Sequence, residues 1–149
     1  MKTRVFLLAA ALALAALVPG CSTVSSAMKD GYYKAEASSY NQYGWKDYVL
    51  IYVSGDRIIT VEYDAFNQSG FCRSWDIDVT RAINQGTGTY PSELERMYAV
   101  SLLNWQNPWD IDTVSGATDS LSAFQKLSDA VLSCAKTGDK RVALVNLAD

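Results

Sequence analysis

The strongest constraint on the fold is a pair of apolar runs, residues 45–54 and 57–66, joined only by Gly55-Asp56. Both runs are rich in β-branched and aromatic residues, and a two-residue connection of this type favours a tight hairpin. In the first arm Asp47, Val49, Ile51 and Val53 share one face, while Tyr48, Leu50 and Tyr52 share the other. Both faces are therefore largely apolar. Such a hairpin needs either a layer above and a layer below, or one covered face and one left for a ligand that accepts aromatic contacts.

The rest of the chain supplies material for those layers. Residues 31–37 look like a first strand. Pro91 opens a helix that runs to about Gln106, with Glu93 and Glu95 in its first turns where the dipole favours acids. Leu94, Met97, Tyr98, Ser101, Leu102 and Trp105 follow helical spacing and are expected to face the core; Asn107-Pro108 ends the run. Leu121, Phe124, Leu127, Val131, Leu132 and Ala135 form the stripe of a later helix, closed by Lys136 and Gly138. Residues 75–83 could form a short helix, residues 84–89 a flexible turn, and residues 141–147 a final strand. Strands early, helices late and a strand returning at the end predict an α+β fold, with an antiparallel sheet and two main helices. No internal repeat is present, and 149 residues fit a single domain.

The N-terminus reads as a targeting segment. Lys2 and Arg4 form a basic start, and residues 5–18 are an apolar run too short for a comfortable membrane span. The run ends in Val18-Pro19-Gly20-Cys21, which resembles a bacterial lipobox, and that resemblance makes Cys21 the lipidated first residue after cleavage. An ordinary signal peptide with an incidental cysteine is the alternative. The expected organisation is a signal peptide over 1–20, the lipidated Cys21 with a Ser-rich tether over 21–29, and a domain over 30–149. Acylation anchors a chain without making it span, which predicts a protein of the bacterial envelope held at the membrane and facing the periplasm or exterior. Cleavage removes Lys2 and Arg4 and no acid, leaving 11 basic against 16 acidic side chains, a formal charge of −5. Nucleic acid is not an expected partner.

The chain contains no histidine. That excludes a Ser-His-Asp triad, a His-ligated haem, a His-containing zinc site and an imidazole base. Three cysteines, one of them assigned to lipid, leave no set for an iron–sulfur cluster. Cys72 and Cys134 could pair in an oxidising compartment, and Cys134 could equally be a buried apolar residue. Asp76-Ile77-Asp78 and Asp110-Ile111-Asp112 place acids two apart, a spacing most often solvated, so no metal is expected. No catalytic residue is assigned.

One stretch carries a specific signal. Asp112-Thr113-Val114-Ser115-Gly116-Ala117-Thr118-Asp119-Ser120 is a small-residue loop opening onto the later helix, where unpaired N–H groups and the helix dipole favour an anion such as phosphate. A helix cap in a Ser/Thr-rich turn explains Thr118 or Ser120 on local grounds alone. Asp112 with Ser115-Gly116-Ala117-Thr118 resembles the D-x-x-S/T-G-A-T signature of FMN-binding domains. Asp30 to Tyr33, Gly44 to Tyr48 and Tyr63 to Asn67 extend the resemblance to small membrane-anchored FMN-binding lipoproteins.

The resemblance implies covalent FMN, in phosphoester linkage to Thr118, with Ser115, Gly116 and Ala117 allowing close backbone approach to the phosphate and Asp112 as the signature acid. It further implies that a separate flavin transferase uses this chain as its substrate, drawing FMN from FAD. Trp109, Tyr90 and Leu94 are candidates for the bed of the isoalloxazine ring, chosen by nearness in sequence. The glycine-rich stretch that precedes the signature in quinone-reductase subunits is replaced here by residues 88–94, so ring contacts are not carried over. The function expected is electron relay between membrane and envelope redox partners, an electron carrier more than an enzyme. A lipid-anchored surface binding or antigen domain without flavin is the alternative, and an FMN-dependent reductase acting directly on a small molecule is a third.

Overall fold

The computed structural model describes residues 27–112 and 118–147. Cys21, Ser115, Gly116, Ala117 and the expected signal peptide lie outside the described residues. The hairpin forms as its sequence predicts. Strands β2 (Lys46–Ser54) and β3 (Arg57–Phe66) pair antiparallel. Gly55 and Asp56 take φ of 58° and 61°, the positive values that a type I′ turn requires at both central positions.

Strand β1 (Gly31–Ala37) adds to β2 antiparallel, and β4 (Ala143–Val145) adds to β1, giving the order β3-β2-β1-β4. The β1–β4 pairing is parallel, so the sheet is mixed and not wholly antiparallel. The reason is topological. The chain leaves the hairpin, passes through its helices and returns beside β1 running in the same direction, as a parallel neighbour reached by a crossover must. β4 is also shorter than the 141–147 expected.

Three α-helices follow the hairpin: the two main helices expected, and a first one where residues 75–83 could form a short helix. Helix α1 (Ile77–Thr87) is capped by Asp76, whose side chain accepts from Val79 N–H at 3.0 Å, and is stopped by Gly88 at φ 78°. It continues through Asn84, Gln85 and Gly86, the stretch assigned to a turn, because the left-handed stop lies at Gly88 and not before. Helix α2 (Pro91–Trp105) begins with its proline at the first turn and ends at Gln106 in the left-handed region. The Gln106 side chain then clamps the edge strand, accepting from Ile58 N–H at 2.7 Å and donating to Ile58 C=O at 3.2 Å. Helix α3 (Thr118–Thr137) buries the whole predicted stripe from Leu121 to Ala135.

Helices α2 and α3 cover one face of the sheet, meeting Tyr33, Ala35, Val49, Ile51, Val53 and Tyr63. Phe124, fully buried, fills the middle of that layer, with the Tyr63 ring centroid 4.9 Å away and that of Tyr98 5.5 Å away. Burying a side chain of this size contributes about 2–3 kcal/mol. On α2, Tyr98 and Leu102 face the core as predicted, but Met97 and Trp105 are exposed and Glu95 is buried in their stead.

The other sheet face has no helix across it among the described residues. Its own side chains partly cover it: the Tyr32 ring leans on that of Tyr52 with centroids 4.7 Å apart, and the Lys34 ammonium lies 4.7 Å above the Tyr48 ring. Cys72 belongs to this side, close to Tyr48, Asp64 and Glu62, whereas Cys134 is on α3 against the core. Both are free thiols, because the sheet stands between them.

Candidate functional site

A cleft of about 490 Å³ opens where α1, α2, β3 and the start of α3 converge. That volume lies within the range of small-molecule and cofactor sites, roughly 300–1,000 Å³. Its apolar lining comes from Ile83 of α1, Pro91 and Leu94 of α2, and Tyr63 of β3. Its polar rim is Thr118, Asp119 and Ser120, the first turn of α3, with Thr87 from the end of α1 and Thr89 from the α1–α2 connection. Thr118 is exposed and is the first residue of a helix of 20 residues.

The inner wall is ionic. A 3₁₀ turn over Arg73–Trp75 is pinned to β3 by Asp64, which accepts from Ser74 Oγ at 2.6 Å. This aims the Arg73 guanidinium at Glu95 of α2, 2.8 Å away, and at Asp47 of β2, 3.3 Å away. All three side chains are largely buried. Burial raises the pKa of Asp47 and of Glu95, and Arg73 only partly offsets it. Burial also works against the Arg73 charge, yet Asp47 and Glu95 outweigh it and the guanidinium ends with its pKa raised. Arg73 Nε is buried and has no hydrogen-bond partner among the described residues.

Two tyrosines tie this wall to α3. Tyr63 donates to Ser120 C=O at 3.3 Å, and the Tyr98 hydroxyl lies 3.5 Å from Ser120 Oγ. Burial pushes the Tyr63 phenol well above its ordinary range, so it remains a donor. The start of α3 is thereby fixed against β3 and α2.

Of the residues singled out from sequence, Thr118 and Leu94 line the cleft. Asp112 is exposed and not among its lining residues. Trp109 is also elsewhere, 57% exposed, with its indole N–H 3.5 Å from Asp129. Tyr90 is the residue before α2 and about half exposed. Asp76, one of the paired acids, is used as the cap of α1. Sequence reasoning did not single out Arg73, gave Asp47 and Tyr63 no role in a site, and read Glu95 only as an acid favoured by the dipole in the first turns of its helix. The one available signal was Glu95 itself, one turn before the buried Tyr98 and so on its face of the helix.

No protein-family model matches the chain. Over 134 residues the sequence is 34% identical to the "15 kDa lipoprotein" of Treponema pallidum (strain Nichols), covering 90% of this chain and 94% of that one. A crystal structure of a protein from Clostridium perfringens matches with a TM-score of 0.76 at 32% identity, over 81% of this chain and 99% of that chain. A solution NMR structure of a protein from Clostridium thermocellum matches with a TM-score of 0.51 at 28% identity, over 77% and 95% of the two chains. All three comparisons reach across most of the domain.

Proposed function

The chain belongs to the family of the 15 kDa lipoprotein, and from that premise we propose that it is an envelope protein held at the membrane through lipid on Cys21, carrying FMN in phosphoester linkage to Thr118. Its role is to relay electrons between membrane and envelope redox partners, with a flavin transferase as the enzyme that loads it. No helix among the described residues is long and apolar enough to cross a membrane.

The observation that carries the flavin reading is the position of Thr118. It stands at the foot of α3 and on the rim of a cleft with apolar walls, so a group attached to its hydroxyl has a lined cavity beside it. The residues fit the group. Leu94, Pro91, Ile83 and Tyr63 offer the apolar and aromatic surface a flat ring system needs, and Arg73 is the one cationic side chain among the described residues that line the cleft. FMN, when bound, supplies the redox chemistry. The chain holds the ring in place, shields part of it from water and sets the charge around it. Asp47 and Glu95 together outnumber Arg73, so the wall favours no extra negative charge in the cleft.

Co-expression with a flavin transferase, followed by intact-protein mass, tests this directly. The expected result is a mass increase of one FMN, seen also as in-gel fluorescence after denaturation. Thr118→Val keeps the shape, removes the hydroxyl and abolishes the increase while the protein still folds. An unmodified Thr118 peptide from protein isolated from its native envelope would overturn the flavin reading. For the anchor, Cys21→Ala releases the domain from the membrane fraction.

A further inference from the structure

The end of the molecule where the tether enters is rich in exposed cations, in a chain that is acidic as a whole. Met28 and Lys29 lead into β1, and the backbone there is tied to two other elements: Met28 N–H donates to Asp56 of the hairpin turn at 2.6 Å, and Lys29 N–H donates to Ala135 C=O of α3 at 2.9 Å. The start of β1, the β2–β3 turn and the C-terminus of α3 therefore share one end. Five exposed cations gather on it: Lys29, Arg57, Lys136, Lys140 and Arg141.

The three acids of this end, Asp30, Asp56 and Asp139, each accept from a backbone N–H, those of Gly55, Met28 and Arg141. Asp139 also pairs with Arg141 at 2.6 Å, and that partner holds its pKa down to about 2. Two lysines are seated by glycines. Lys140 Nζ donates to Asp30 C=O at 3.1 Å across Gly31, where a Cβ would come within 1.9 Å of it. Lys29 Nζ donates to Thr137 C=O at 2.9 Å over Gly138, where a Cβ would meet Lys29 Cδ at 2.6 Å. Bonds to carbonyls fix these ammonium groups without neutralising them.

Five cations against three acids leave +2 at this end, and with −5 on residues 21–149 as a whole, the remainder carries −7. The Thr118 cleft lies at the opposite end of α3, which with 20 residues is about 30 Å long. Cys21 precedes Met28 by seven residues, which span at most about 25 Å when extended.

We propose that this basic end rests on the anionic headgroups of the membrane that holds the Cys21 anchor, so that the Thr118 cleft is turned away from the bilayer. The proposal rests on the lipid anchor proposed above. A domain of net negative charge is repelled as a whole by an anionic surface, but a segregated charge gives it a preferred direction, the positive end inward and the acidic body outward. Because screening confines the attraction to about 8 Å at physiological ionic strength, it needs the short tether to bring this end within range.

The test uses the mature lipidated protein in phosphatidylcholine vesicles and in vesicles that also contain phosphatidylglycerol, read by hydrogen exchange. The expected result is roughly fivefold or greater slowing of the amides of residues 28–31, 54–57 and 137–141 in the anionic vesicles, lost at high salt. Combining Arg57→Glu with Lys136→Glu turns the end from +2 to −2 and is expected to remove the difference, while buried α3 amides report that the fold persists. Equal exchange of wild type in the two vesicle types overturns the proposal. Flotation reads the anchor separately: protein that floats with both vesicle types yet exchanges equally keeps the anchor and loses this proposal, and protein that does not float with neutral vesicles loses the anchor and the orientation that depends on it.

Discussion

The two ends of α3 use positive charge in opposite ways. At the cleft, Arg73 is buried with two carboxylates on its guanidinium. At the tether end five cations are exposed; Asp30 and Asp56 beside them are occupied by backbone N–H groups, and Asp139 pairs with Arg141. A charge removed from solvent must be compensated by contact, because its desolvation is costly and is repaid only at hydrogen-bond distance. A charge left in solvent keeps its field for an external partner and adds little to the fold. One end is therefore built for geometry and the other for orientation.

The largest effect that would break this comparison is at Arg73. Arg73→Met leaves Asp47 and Glu95 buried without a cation and is expected to cost about 3–5 kcal/mol, read from the urea midpoint. A loss below about 1 kcal/mol would mean the cleft wall is as tolerant as a surface. Next comes Gly138, which has φ 77° and sits under Lys29. Gly138→Ala is expected to cost about 1–2 kcal/mol from the left-handed backbone, measured the same way, with the lysine able to move aside.

The third prediction concerns pH. Burial holds the folded pKa of Glu95 above its ordinary 4.5. The folded state thus binds the proton more tightly, so the contribution is fully present below 4.5 and is lost as pH rises through the raised value. Stability should fall with rising pH across that window. Glu95→Gln removes its share of the slope, at most about 1.4 kcal/mol per pH unit. Identical slopes for variant and wild type would refute the assignment. The smallest effect belongs to the tether end: Arg57→Glu should change stability by less than about 0.5 kcal/mol in thermal unfolding, although it reverses a charge.

The sheet teaches a related lesson through its two faces. Alternation in β2 correctly separated Val49, Ile51 and Val53 from Tyr48, Leu50 and Tyr52, yet both sets looked apolar enough to be covered. The structure resolves this by aromatic self-cover. Tyr32, Tyr52, Tyr48 and Phe66 lean on one another and on Lys34, so this face needs no second layer of helices.

What the sequence by itself determined is the local part. The Gly55-Asp56 turn, the start of α2 at Pro91, the stop at Gly138 and the α3 stripe follow from backbone preferences and periodicities that act within a few residues. Only the tertiary structure decided which distant segments meet. Arg73 and Glu95 are 22 positions apart and carry no spacing that pairs them. The parallel seat of β4 and the gathering of Lys29, Arg57 and Lys140 at one end depend on how the helices cross the sheet. Burial and charge placement are properties of the packed chain, because desolvation and Coulomb energies depend on distances in space and not along the sequence.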